Sequence, residues 1–242
     1  MILGSRAFAH RGLWSPGGPP ENSIAAFRAA AEAGCGIELD VQLSKDGVPV
    51  VFHDPVLDRM TDAGGAVWDR TADELCDLVL AGSGERIPRL SQVLAALPAG
   101  TPVLAELKAS PGAHEDYIGA LDLALFGARA EVAVMSFIRA LNLAAADRLA
   151  GRTLGVLVPP APSGEPPLGE RLAGAAHPGA SYIALRHEEA EAARAALGEA
   201  ASLAAWTVDT QTALENACRA GAAAIFEGLA PETVLARTRP PA

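Results

Sequence analysis

The chain has 242 residues, a formal net charge of −10 and a hydrophobic fraction of 50%. That length allows one large core and sits near the roughly 250 residues of a (β/α)8 barrel. No segment is strongly basic, which excludes nucleic-acid binding driven by phosphate neutralisation, and no apolar run reaches the ~18 residues of a membrane span.

Short apolar runs alternate with amphipathic, Ala- and Leu-rich stretches along the chain. Ala7–His10 reads as a strand and Ser23–Ala33 as a helix, with Asn22 placed to cap it and Gly34 to end it. Ile37–Leu43 reads as the second strand. Lys45-Asp46-Gly47 is a turn, after which Val48–His53 runs extended. Asp54–Leu90 breaks the rhythm with a short helix near Thr71–Val79, and Ile87-Pro88-Arg89-Leu90 leads into a further helix ending at Leu97. Beyond it strands are predicted at Pro102–Lys108, Glu131–Ser136, Thr153–Val158, Ser181–Leu185, Leu203–Val208 and Ala223–Phe226. Helices are predicted at Ala113–Leu125, Ile138–Leu149, Leu168–Ala173, Glu188–Leu197, Gln211–Ala220 and Pro231–Arg237. Eight strands alternating with helices imply a parallel sheet with right-handed crossovers. The expected fold is α/β, a (β/α)8 TIM-type barrel forming a single domain over residues 1–242, with a small excursion after the second strand. The pattern alone is also compatible with an open doubly wound sheet. Three Pro- and Gly-rich loops, Ser15–Pro20, Asp62–Gly65 and Pro159–Pro167, are rim or lid candidates at the ligand-binding face.

Chemistry concentrates at the predicted strand ends. Residues two apart on a strand share a face, so Glu38 and Asp40 point the same way, as do Glu106 and Lys108. Glu38, Asp40 and Glu106 offer only hard oxygen donors, a set suited to one divalent cation, Mg²⁺ or Ca²⁺, with Mn²⁺ as a further option. The alternative is a set of carboxylates paired with Arg or Lys inside the barrel. His10 and His53 are acid–base candidates because imidazole titrates near neutrality, and the alternative for each is a structural core histidine. Arg11 is fit for bidentate phosphate contact or for a salt bridge, and Lys108 offers a second phosphate cation. Glu21 reads as a partner of the polar site or as an acid favoured by a helix N-terminus. Trp206 reads as an apolar wall or as core. His114, His177 and His187 are expected at the surface. Cys35, Cys76 and Cys218 are odd in number and far apart, which predicts buried free thiols in a reducing compartment. With no apolar leader in residues 1–6, the expected location is the cytoplasm.

In these residues the chain resembles the glycerophosphodiester phosphodiesterase family. The likeness is carried by Ala9-His10-Arg11-Gly12, Pro20-Glu21-Asn22-Ser23, Gly36-Ile37-Glu38-Leu39-Asp40-Val41, Ser44–Asp54, Ile87-Pro88, Glu106-Leu107-Lys108, Ser136-Phe137 and Trp206-Thr207-Val208, in family order. The resemblance implies a barrel that hydrolyses glycerophosphodiesters, small-molecule substrates, to sn-glycerol 3-phosphate and an alcohol. It implies His10 and His53 as the catalytic pair, and Glu38, Asp40 and Glu106 as metal ligands. It also implies Arg11, Lys108 and Trp206 at the substrate. The attacking oxygen belongs to water or to the glycerol 2-hydroxyl. One stretch departs from the pattern: where the family usually has Ile-Thr-Asp followed soon by Pro on the last strand, this chain reads Ala224-Ile225-Phe226-Glu227-Gly228, with Pro231 later. Two alternatives stand beside this reading. A lysophospholipase D-like enzyme would need an apolar track, for which Leu13, Trp14 and Pro159–Pro167 are candidates. A non-catalytic phosphoester-binding barrel would keep only the fold. Neither stable membrane insertion nor a nucleic-acid partner is expected, and oligomeric state is not written in the sequence.

Overall fold

The computed structural model describes residues 2–4, 7–161, 166–177 and 179–238. Its strands are β1 (Ala7–Ala9), β2 (Gly36–Leu43), β3 (Pro49–Val51), β4 (Pro102–Leu107), β5 (Glu131–Met135), β6 (Thr153–Leu157), β7 (Ala180–Arg186), β8 (Leu203–Val208) and β9 (Ala223–Phe226). The helices are α1 (Ile24–Glu32), α2 (Ala72–Cys76), α3 (Leu90–Ala96), α4 (His114–Leu125), α5 (Arg139–Arg148), α6 (Leu168–Ala175), α7 (Ala190–Leu197), α8 (Gln211–Arg219) and α9 (Pro231–Thr238). Each predicted barrel strand is present, shifted by at most one residue. β1 pairs in parallel with both β9 and β2, so the eight parallel strands close into a barrel and the open-sheet alternative falls. The remaining strand, β3, runs antiparallel to β2 and starts the excursion.

Alternation on the strands divides the apolar residues between two layers. Phe8, Leu104, Met135, Leu157, Tyr182 and Ile225 fill the interior, joined by Ile2 and Leu3 from the short 3-10 helix Ile2–Gly4. The opposite face, including Ala9, Ile37, Leu39, Val41 and Val103, packs under the helices against Phe27, Ile118, Leu121 and Leu214. Two glycines make room for rings inside. A Cβ on Gly36 would lie 2.5 Å from the Phe8 ring, and one on Gly155 would lie closer still to the Tyr182 ring. The excursion has a small core of its own, with Val50, Phe52, Leu57, Val67, Leu75, Leu80 and Ile87 buried together.

Three expectations change. Ser23, not Asn22, caps α1: its Oγ accepts from the Ala26 N–H at 3.1 Å. Asn22 sits at φ 57° with its side chain turned to Asp40, a position an asparagine tolerates better than most residues. His177 is buried and His114 and His187 are half-buried, so none is a plain surface histidine. All three cysteines are free thiols, but only Cys35 is buried. Of the loop Pro159–Pro167, residues 162–165 lie outside the described residues. Among the described residues no helix is long and apolar enough to cross a membrane.

Candidate active site

β2 sends Glu38, Asp40 and Gln42 into the barrel mouth, and all three are almost fully buried. The register of β2 and β4 sets Asp40 beside Glu106. One oxygen from each of Glu38, Asp40 and Glu106 lies within 4.8 Å of the others. Three carboxylates this close, out of water, repel strongly unless cations intervene. Burial and the Asp40 charge push the Glu38 carboxyl up to about 8, and the same two causes raise Glu106. Burial would raise Asp40 as well, but Lys108, His53 and Arg11 around it hold it well below the usual carboxylate range. The Lys108 ammonium lies 2.9 Å from Asp40 Oδ1 and also contacts Glu106.

Arg11 turns back at φ 56°, which lets its N–H donate to Glu38 Oε2 at 3.2 Å. Its guanidinium reaches Asp40 Oδ2 at 3.4 Å and donates to Glu21 Oε1 at 2.9 Å. Asn22 Nδ2 donates to Asp40 Oδ2 at 2.8 Å, so this asparagine orients a candidate ligand. Glu21 is buried between Arg11 and Arg59, and these cations outweigh its burial and lower its pKa.

The two histidines are held alike. His10 Nδ1 lies 2.7 Å from Glu227 Oε2, and His53 Nδ1 lies 2.6 Å from Asp54 Oδ1. An ionised carboxylate only accepts, so each Nδ1 donates and each Nε2 is left for chemistry. His10 Nε2 lies 4.0 Å from Glu38 Oε2. Burial disfavours the His10 charge, yet Glu227 and Glu38 outweigh it and raise the pKa. For His53 burial prevails and the pKa falls. Gln42 Nε2 donates to the carbonyls of Phe52 and Asp54, at 2.8 and 2.7 Å, bracketing His53 on both sides.

These groups line one side of a cavity of about 170 Å³ that contains His10, Arg11, Glu38, His53, Glu106 and Lys108. The other side is mainly apolar, built from Met135, Phe137, Leu157, Trp206 and Ile225. Phe137 meets Trp206 edge to face, with centroids 5.5 Å apart. Among the described residues the buried Trp206 Nε1 has no hydrogen-bond partner. All eight sequence-predicted site residues therefore border the cavity or, for Asp40, the buried cluster behind it. The donor set fits a hard divalent cation: three carboxylates, when ionised, carry more negative charge than Lys108 and Arg11 balance. Sequence reasoning misses Arg59, Gln42 and Phe137 as parts of the site. Glu227 is visible beforehand only as a departure from a pattern.

A model of the glycerophosphoryl diester phosphodiesterase family matches residues 10–227. A glycerophosphodiester phosphodiesterase of Caldanaerobacter subterraneus is 50% identical over 92 residues, which are 35% of this chain and 37% of that protein. Human glycerophosphodiester phosphodiesterase 1 is 39% identical over 98 residues, 37% of this chain and 29% of its own length. The matched stretches thus span well under half the length of these relatives. Among solved structures, an Oleispira antarctica phosphodiesterase in complex with the product sn-glycerol-3-phosphate superposes with a TM-score of 0.79. It is 24% identical, with 96% of this chain and 95% of that one covered. A Silicibacter pomeroyi structure described as a glycerophosphoryl diester phosphodiesterase gives 0.78 at 22% identity, with 97% of each chain covered. At these identities the likeness carries the barrel fold.

Proposed function

The chain belongs to the glycerophosphoryl diester phosphodiesterase family, and from that membership we propose that it hydrolyses glycerophosphodiesters to sn-glycerol 3-phosphate and an alcohol. The observation that carries this reading is the pair of carboxylate-held imidazoles beside one buried triad of acids. Glu38, Asp40 and Glu106 are the residues that would hold a divalent cation, Mg²⁺ or Ca²⁺. When bound, that cation stabilises negative charge on the phosphoryl oxygens. Arg11 and Lys108 grip and orient the phosphate. One imidazole Nε2 takes the proton of the attacking oxygen as its bond to phosphorus forms. The other gives its proton to the alcohol oxygen as the old bond to phosphorus breaks. Glu227 and Asp54 keep each ring in the tautomer and orientation this exchange needs. The apolar wall with Trp206 packs against the carbons of glycerol.

The test is turnover of a glycerophosphodiester panel, with lysophosphatidylcholine as the lipid control, in Mg²⁺ or Ca²⁺ and in chelator. We expect glycerol 3-phosphate release that chelator abolishes. His10→Ala and His53→Ala should each lose at least ~10²-fold in rate. Glu38→Ala should lose about 10- to 100-fold in cation affinity or activity. Undiminished turnover in His10→Ala or Glu38→Ala would refute the assignment, and tight binding of diesters without hydrolysis would restore the non-catalytic barrel.

A further inference from the structure

His53 sits where the pairing of β2 with β3 runs out. Val41 lies opposite Val51, and continuing that register sets Asp40 opposite Phe52. Opposed antiparallel residues of this kind exchange two hydrogen bonds. Here the Phe52 N–H donates to the Asp40 carbonyl at 3.0 Å, but the Asp40 N–H donates instead to Asn22 Oδ1 at 3.3 Å. The Phe52 carbonyl is thus left without its strand partner, and the chain leaves the sheet carrying His53. A backbone carbonyl inside a protein needs a donor. Gln42, two residues past Asp40 on the same face of β2 and only 1% exposed, supplies it. Its Nε2 gives one proton to the Phe52 carbonyl and the other to the Asp54 carbonyl.

Both donations fall beside one residue, His53, one on either side. The ring of that residue is held separately, by Asp54 at Nδ1, and Asp54 is held by Arg59 from the excursion. Backbone and ring are therefore fixed from different elements. An amide nitrogen donates twice without bringing charge. Lysine or arginine here would add a cation beside Asp40, and an ionised glutamate of the same shape would have no proton to give. Gln42 Oε1, meanwhile, is buried and among the described residues has no hydrogen-bond partner. A stranded acceptor offsets part of what two hydrogen bonds add to stability. The side chain accordingly matters more for where it puts His53 than for holding the barrel together.

We propose that Gln42 is a positioning residue for the acid–base step, fixing His53 at a set place relative to the candidate cation ligands Glu38 and Asp40. The proposal rests on the phosphodiesterase reading above. One face of one strand carries Glu38, Asp40 and Gln42 at a period of two, so β2 sets both where the acids sit and where the imidazole sits. Misplacement of a reacting group by about 1 Å costs up to ~10²-fold in rate.

The experiment uses the diester that the panel above turns over fastest, in Mg²⁺ or Ca²⁺. Gln42→Met keeps the length and loses both donors; Gln42→Asn keeps an amide one carbon too short to reach both carbonyls. We expect kcat to fall about 10- to 100-fold in each, with KM and the cation concentration for half-maximal activity within about threefold of the parent. Placed on His53→Ala, either substitution should change the residual rate by less than about twofold, because a residue that acts through His53 has nothing left to act on. Undiminished kcat in both variants overturns the proposal. So does a full further loss in the His53→Ala background, or a shifted cation requirement that accounts for the whole effect, since either would place Gln42 with the fold or the triad. Loss of the folded barrel in both variants overturns it too. A parent protein that turns over no diester is a different result, because it removes the phosphodiesterase reading itself and this proposal with it.

Discussion

His10 is held by Glu227, a side chain 217 positions away in sequence on the stretch that departs from the family pattern. Glu227 delivers an oxygen to Nδ1 of the ring at 2.7 Å. On the proposed function this imidazole would gain a proton during turnover and would need an anionic neighbour, and Glu227→Gln keeps the shape while removing the charge. We expect kcat to fall roughly 10²-fold with KM near the parent value, since the lost interaction supports the protonated ring more than substrate binding. A raised KM with unchanged kcat would place Glu227 among substrate contacts instead. The acids of the triad make a second prediction. The Glu38 carboxyl titrates at about 8 in the fold against 4.5 ordinarily, so between those values the folded state holds a proton the unfolded chain has released. Stability of chelated protein therefore falls as pH rises through that window. Glu106 and His10, both raised, act in the same direction, while the lowered His53 opposes them near neutrality. Asp40, held low, loses its contribution only in strong acid. On the proposed function a divalent cation held by the triad would replace the proton, so Mg²⁺ or Ca²⁺ should raise Tm more at about pH 8 than at about pH 5. Equal shifts at both pH values would argue that the cation binds elsewhere.

Among the elements, the excursion after β3 does more than fill a connection. Arg59 donates to Glu21 Oε1 at 2.6 Å and also binds Asp54, so one guanidinium braces the carboxylate behind His53 and the carboxylate beside Arg11. Its side chain is 46% exposed, so the bridge adds little to stability, about 1 kcal/mol at most after solvent screening. Its value lies in orientation. Arg59→Met should lower kcat/KM ~10-fold while leaving Tm nearly unchanged, and Arg59→Lys should recover only part of it, because a point charge cannot serve two carboxylates as a fork does. A thermal scan beside the kinetics checks both halves of this expectation. Arg59 also shows what a sequence hides. It lies in a segment without periodicity, and its partner Glu21 is 38 residues away. Asn22 shows a narrower failure: two good capping residues stand side by side in the turn before α1, and Ser23 caps the helix while Asp40 on β2 engages the asparagine. By contrast Glu38, Asp40 and Glu106 are legible beforehand, because a period of two fixes which side chains share a face whatever the tertiary detail.

At the scale of the whole barrel, polar chemistry occupies the mouth while the interior beneath it is packed with rings and aliphatic side chains, the separation expected when strand ends catalyse and strand bodies stabilise. The strand rhythm reveals the barrel, but the sequence does not show which glycines are obligatory, since that depends on rings arriving from neighbouring strands. Gly155 on β6 faces Tyr182 on β7, and Gly36 on β2 faces Phe8 on β1. A methyl at either place collides with a buried ring, and overpacking of this kind costs roughly 1–3 kcal/mol. The two substitutions should nonetheless separate. Gly155→Ala strains a strand that carries no acid, base or candidate ligand, only Leu157 on the cavity's apolar wall, so chemical denaturation should show the loss while the cation requirement below the melting range stays close to the parent. Gly36→Ala strains β2, and the displacement passes two residues along the strand to Glu38 and four to Asp40, whose oxygens must stay within the 4.8 Å cluster to share a cation. It should lose stability by a similar amount and also weaken cation binding, read as a higher Mg²⁺ or Ca²⁺ concentration for half-maximal activity. If Gly155→Ala moved that cation requirement as far as Gly36→Ala does, interior and mouth would be mechanically one unit, and the separation drawn here would fail.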